Sequence, residues 1–144
     1  MCIRDRVRDT DGYLLYGSTG TVTGVDAGSG DASTWNNSGS LYVGENGTGT
    51  LNIEAGGVVQ VGSGNGTLTL ADNAGSIGTL NIGNGGLAGT LEVGEVTGGA
   101  GTATVNFSQT DASYTFAPNL TGSLSVSQTG NGTTVLTGIN TRCV

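Results

Sequence analysis

The chain has 144 residues and 14.1 kDa, enough for one domain or a piece of one, with Gly 29, Pro 1, Lys+Arg 4, Asp+Glu 11, no histidine and a net charge of −7. About one residue in five is glycine, yet no strict Gly-X-Y period exists, so collagen is excluded; 10% charged residues at a mean hydropathy near zero are not the signature of a disordered chain. The missing histidine removes the commonest general base and metal ligand, and the acidic balance speaks against nucleic acid or an anionic membrane as partner.

At the start, Met1-Cys2-Ile3-Arg4-Asp5-Arg6 resembles the translation of a transposon-end sequencing adapter. Residues 1–8 are therefore set apart as an assembly scar and a disordered start. All four cations, Arg4, Arg6, Arg8 and Arg142, stand at the ends, as do Cys2 and Cys143. Between Asp9 and Thr141 the chain carries ten acids and no base, so trimming the ends changes the net charge from −7 to −10. The long separation of the cysteines gives no geometric support for a disulfide. No apolar run approaches the ~18 residues of a membrane-spanning helix.

Residues 9–141 are expected to form one β-solenoid. Apolar-x-apolar triplets recur through them: Leu41-Tyr42-Val43, Leu51-Asn52-Ile53, Val59-Gln60-Val61, Leu68-Thr69-Leu70, Leu80-Asn81-Ile82 and Leu91-Glu92-Val93. Val105-Asn106-Phe107, Tyr114-Thr115-Phe116 and Leu124-Ser125-Val126 continue the series. A triplet begins roughly every ten residues, the spacing of many short strands joined by turns. Each triplet has the period-two alternation of a strand with one buried face, and no segment has a helical period. The connectors are rich in Gly, Asn, Ser and Asp, residues that accept the positive φ of tight corners. Strands this short bury too little surface alone and must stack on copies of themselves, and two triplets per ~20-residue coil is the expected arrangement. An antiparallel sandwich, the rival, calls for longer strands and a more aromatic core.

The best-formed repeats occupy 34–107. Thr34-Trp35-Asn36-Asn37-Ser38-Gly39-Ser40-Leu41-Tyr42-Val43-Gly44, followed by Gly49-Thr50-Leu51-Asn52-Ile53-Glu54-Ala55-Gly56-Gly57-Val58-Val59, resembles the repeat of type V secretion passenger domains and of some PEP-C-terminal-sorted surface proteins. The copies around Leu68, Leu80 and Leu91 are degenerate and lack the Trp. Residues 105–141, ending in Thr133-Thr134-Val135-Leu136-Thr137-Gly138-Ile139-Asn140-Thr141, resemble the autotransporter-associated β-strand repeat. That repeat continues with Tyr where this chain has Arg142, so 142–144 are read as a truncation end. The resemblance implies an all-β, right-handed parallel β-helix on a bacterial surface, and an incomplete one. It also implies an outer-membrane translocator β-barrel, absent from this sequence, as the partner domain. The structural repeat positions are then Trp35, Leu41, Val43, Gly44, Leu51, Ile53, Gly56, Gly57, Leu68, Leu80 and Leu91.

Candidate sites are sparse. Trp35, the one tryptophan, reads as a corner plug or stacking contact before a sugar platform, and Tyr42, Tyr114, Phe107 and Phe116 read as stacked core or flank residues. Asp26, Asp31, Glu45, Glu54, Asp72, Glu92, Glu95 and Asp111 raise the question of calcium, but the calcium-binding nonapeptide is missing and isolated acids serve solubility. Glu92 and Glu95 lack the pocket of a glycosidase pair. Gly83–Gly89 has no Lys and no following helix to make a phosphate loop. No catalytic residue, cofactor or metal is expected. The leading expectation is a non-enzymatic stalk or adhesin-like passenger segment at the cell surface, meeting host or environmental surface ligands. The alternatives are a sorted surface or matrix protein, or a ligand-binding solenoid for carbohydrate or ice. For the last, the threonines ahead of the triplets (Thr50, Thr67, Thr79, Thr90, Thr102) are the candidate array, and their uneven spacing along the chain counts against a regular lattice.

Overall fold

A computed structural model describes residues 1–3, 6–25 and 29–141. Asp26, one of the candidate acids, and Arg142–Val144, with Cys143, lie outside the described residues. The chain is all-β, with 57% strand, and its strands stack in parallel as a β-solenoid, as the triplets lead one to expect. After β1 (Cys2–Ile3), the first circuit comprises β2 (Arg6–Asp9), β3 (Gly12–Leu14) and β4 (Ser18–Thr23), and the second β5 (Thr34–Asn37), β6 (Leu41–Val43) and β7 (Thr48–Glu54). The third comprises β8 (Val58–Val61), β9 (Thr67–Leu70) and β10 (Ile77–Ile82). In the fourth, β11 (Thr90–Glu92) is followed by a long bent strand, β12 (Glu95–Phe107), and in the fifth β13 (Tyr114–Phe116) by a second one, β14 (Asn119–Gln128), with β15 (Thr134–Leu136) beginning another circuit. All nine triplets lie on these strands, Val93 falling just past the end of β11.

The strands sort into three faces. Face A stacks β3, β6, β9 and the first parts of β12 and β14; face B stacks β1, β4, β7, β10 and the second parts of β12 and β14. Face C stacks β2, β5, β8 and β11 in one sheet and β13 with β15 in another. Each circuit therefore crosses three faces, where the triplets alone predict two. Circuit length also varies: the path from Val58 to its ladder partner Thr90 is much longer than that from Tyr114 to Thr134. Three faces enclose a core that two facing strands would leave open at the sides. From β1 to β14 face B rises five ladder steps, about 24 Å at ~4.8 Å per step. β1 and β2 are the outermost rungs of their faces.

Inside, columns of like residues run along the axis. Leu51, Leu80, Val105 and Val126 form one, Val22, Ile53, Ile82 and Phe107 another, and Leu41, Leu68, Val96 and Leu120 a third. Most of these side chains are fully buried. Stacking places every methyl group against its own kind one rung away, so a core one residue wide still packs densely. Trp35 enters this interior from face C, only 2% exposed. Gly12 makes room for it: a Cβ there would lie 2.8 Å from the indole ring and 2.5 Å from Asn37 Nδ2. Among the described residues, the buried indole N–H and Asn37 amide nitrogen have no hydrogen-bond partner. At the far end Phe107 and Phe116 meet edge to face at 5.1 Å, with Tyr114 tilted against Phe107 at 6.4 Å.

Candidate functional site

The repeat positions lie inside the rod or at its corners. Trp35 and Leu91 point inward on face C, Leu41, Val43 and Leu68 on face A, Leu51, Ile53 and Leu80 on face B. Gly44 closes the corner between faces A and B, and Gly56 and Gly57 that between B and C. Anything this protein touches must therefore meet the residues alternating with these, the outward positions of each strand. In the sequence those positions look like mere spacers.

On face B those positions form two parallel columns. Thr19, Thr50, Thr79, Thr104 and Ser125 stand in register, one per rung. Two residues along, Thr21, Asn52, Asn81, Asn106 and Ser127 form the second column. The five threonines singled out in the sequence do not share a lattice: Thr67 is on face A, Thr90 on face C, and Thr102 pairs with Ile77 outside the column that holds Thr50 and Thr79. Their irregular spacing comes from mixing three faces; the column on one face is regular because ladder pairing sets its pitch.

The asparagine column is a hydrogen-bonded ladder. Asn52 Nδ2 donates to Thr21 Oγ1 (3.2 Å), Asn81 Nδ2 to Asn52 Oδ1 (2.8 Å) and Asn106 Nδ2 to Asn81 Oδ1 (3.3 Å), and Thr129 Oγ1 donates to Asn106 Oδ1 (2.9 Å). An amide has one donor and one acceptor end, so identical amides stacked at strand spacing satisfy one another in series. Asn81→Asp keeps the acceptor but loses the donor and sets a carboxylate against Asn52 Oδ1. A loss of about 1–2 kcal/mol is expected, read from the urea midpoint; an unchanged midpoint would show that the ladder contributes nothing.

Face C continues the pattern: Asn36 Nδ2 donates to Gln60 Oε1 (3.0 Å), and Gln60 Nε2 to Glu92 Oε2 (2.7 Å). On face A the Tyr13 and Tyr42 rings stack at 5.2 Å with 6° between their planes. Glu92 and Glu95, close in sequence, sit on different faces. Among the described residues no cluster of three or more His, Cys, Asp or Glu side chains is placed to hold a metal ion. Cys2 is exposed and unbridged.

Among the described residues, Tyr114 is the titrating group displaced furthest from its ordinary value. Burial, then the nearby Asp111 carboxylate, pushes its hydroxyl up to about 12 from an ordinary 10.0, and that hydroxyl donates to the Gly89 carbonyl (3.0 Å). Because the folded-state pKa is raised, the stability linked to the neutral phenol is complete below pH 10 and is lost as pH rises from 10 towards 12. The loss should amount to about 3 kcal/mol. Alkaline urea titrations of the parent and Tyr114→Phe check it, the variant lacking that part of the slope.

Fifty-three residues, 37% of the chain, are 51% identical to a stretch of the adhesin BmaC autotransporter of Brucella suis biovar 1 (strain 1330), of which they make up 2%. The chain thus spans a small fraction of that relative's length. No protein-family model matches the chain, and no solved structure does.

Proposed function

We propose that the chain is a segment of a non-enzymatic, adhesin-like autotransporter passenger, displayed at a bacterial cell surface and anchored through an outer-membrane β-barrel of the same full-length protein. The observation that carries this reading is the 51% identity to an autotransporter adhesin over 53 residues, in a chain that folds as a parallel solenoid. The physical work is extension. Stacked rungs tied by backbone ladders and by side-chain ladders resist bending, and each added circuit lengthens the rod by ~4.8 Å. The absence of lysine and the terminal placement of the arginines leave the solenoid few sites for trypsin-like proteases.

The test is the complete gene. A coding sequence that continues into a translocating β-barrel, with the segment reached by an antibody added to whole cells, supports the reading. A Pro-Glu-Pro sorting tail in place of the barrel would instead support the sorted surface or matrix protein. Neither anchor in the complete gene would overturn both.

A second reading, a carbohydrate- or ice-binding solenoid, is favoured by the regular threonine column on face B. Its hydroxyls repeat at strand spacing beside a parallel row of amides. A glycan array and an ice-recrystallisation assay on the folded chain test it, and Thr79→Tyr, which raises a ring in mid-column, should abolish any activity found.

A further inference from the structure

Four asparagines precede a glycine, in Asn46-Gly47, Asn65-Gly66, Asn84-Gly85 and Asn131-Gly132. The backbone nitrogen that follows an asparagine can attack the side-chain carboxamide. Glycine, lacking a Cβ, leaves that nitrogen unhindered and its backbone free to turn. All four asparagines are exposed and lie between strands, so exposure does not rank them. The ladder asparagines Asn52, Asn81 and Asn106 are different, since each lies within a strand and precedes Ile or Phe.

What ranks the four is the bonding of the glycine N–H. Gly66 N donates to Val61 O (2.9 Å), Gly85 N to Ser108 O (2.7 Å) and Gly132 N to Gln109 O (3.0 Å). A nitrogen so held must give up its bond before it attacks, which slows the reaction. Among the described residues Gly47 N has no hydrogen-bond partner, and neither have the backbone N–H groups of Glu45 and Asn46 before it. No N–H bond therefore resists rotation about Asn46, whereas Asn65 N is itself tied to Gly62 O (3.1 Å). The Asn46 side chain is also prepared: its Oδ1 accepts from Asn73 Nδ2 (2.8 Å), which draws electron density from the carboxamide carbon.

We propose that Asn46-Gly47 is a self-modifying corner of the solenoid. Gly47 N attacks Asn46 Cγ; the new N–Cγ bond forms as Cγ–Nδ2 breaks, and ammonia leaves with the proton given up by Gly47 N. Water then opens the cyclic succinimide at either carbonyl, giving aspartate or isoaspartate, with no oxidation or reduction in either step. Each event sets a new carboxylate next to Glu45 in a solenoid that holds no cation between Asp9 and Thr141. The isoaspartate form also lengthens the main chain by one methylene just before Gly47, whose carbonyl accepts from Ile77 N of the next circuit (2.8 Å). The proposal goes beyond the stalk reading and does not depend on how the chain is anchored.

The test is ageing of the full chain in mildly alkaline buffer, once folded and once in guanidinium chloride. Peptide mass spectrometry follows the loss of each asparagine, and an isoaspartyl methyltransferase labels the isoaspartate. In the folded chain Asn46 should convert about fivefold or more faster than each of the other three. In denaturant, where no glycine amide is held, the four rates should converge. Asn46→Gln, at an exposed position and checked by circular dichroism, should remove most of the isoaspartate formed by the folded chain. Equal or faster conversion at Asn65, Asn84 or Asn131 in the folded chain would overturn the proposal. So would an Asn46 that stays intact when folded but converts in denaturant, or an isoaspartate yield unchanged in Asn46→Gln.

Discussion

Gly44→Ala lowers the stability of the solenoid by about 3–5 kcal/mol, a large share of the ~5–15 kcal/mol that holds a folded domain together. Gly44 turns the corner after β6 with φ +75°, and a Cβ there would lie 2.1 Å from the Ile77 carbonyl oxygen and 2.6 Å from its carbon. The left-handed conformation alone costs an alanine about 1–2 kcal/mol. The rest comes from the collision, which involves backbone of the next circuit and cannot be relieved by turning a side chain. Ala71 separates the two effects: it follows β9 as Gly44 follows β6, is fully buried, and holds φ +54° with a Cβ of its own. Gly56→Ala is the matched control, since Gly56 has φ +81° with nothing within 4 Å of a Cβ, and its cost should stay at about 1–2 kcal/mol. Urea midpoints of the two variants decide the matter, and equal losses would mean that conformation, not collision, sets the requirement for glycine.

Phe107→Ala should cost about 3–5 kcal/mol, the range for deleting a buried aromatic ring. Phe107 is 1% exposed, ends the Val22–Ile53–Ile82 column and holds the edge-to-face contact with Phe116. A cavity here has few neighbours able to collapse into it, because the faces are pinned by their ladders. Leu87→Ala gives the baseline: Leu87 is 59% exposed, and its loss should shift stability by no more than ~0.5 kcal/mol. A midpoint for Phe107→Ala close to that of Leu87→Ala would show that the aromatic cluster does not hold the fifth circuit.

The nine triplets were legible because alternation is local. A strand with one buried face must write an apolar residue at every second position, whatever it stacks upon, and Leu51-Asn52-Ile53 does so as plainly as Leu80-Asn81-Ile82. The first circuit was less legible. In Gly12-Tyr13-Leu14 an inward glycine replaces the expected apolar residue, and the reason, the bulk of Trp35, lies in the next circuit. The first parts of β12 and β14 were hidden differently: Val96 and Leu120 are their lone buried large side chains, too few to show a period. The threonine column was misassigned because distance along the chain does not say which face a residue occupies.

The all-β class, the places of most strands, the inward residues and the glycine corners could be read from the residues alone. Each of these follows from a residue's own geometry and hydrophobicity and from its near neighbours. Tertiary contacts set the three faces of each circuit, the aligned columns Thr19 through Ser125 and Asn52 through Asn106, and the break of the face C ladder between β11 and β13. Lengthening a corner adds little closure entropy, so the short circuit from Tyr114 to Thr134 and the long one from Val58 to Thr90 coexist in one rod. With corner length free to vary, partners are selected by the match of buried faces and by the backbone ladders they form.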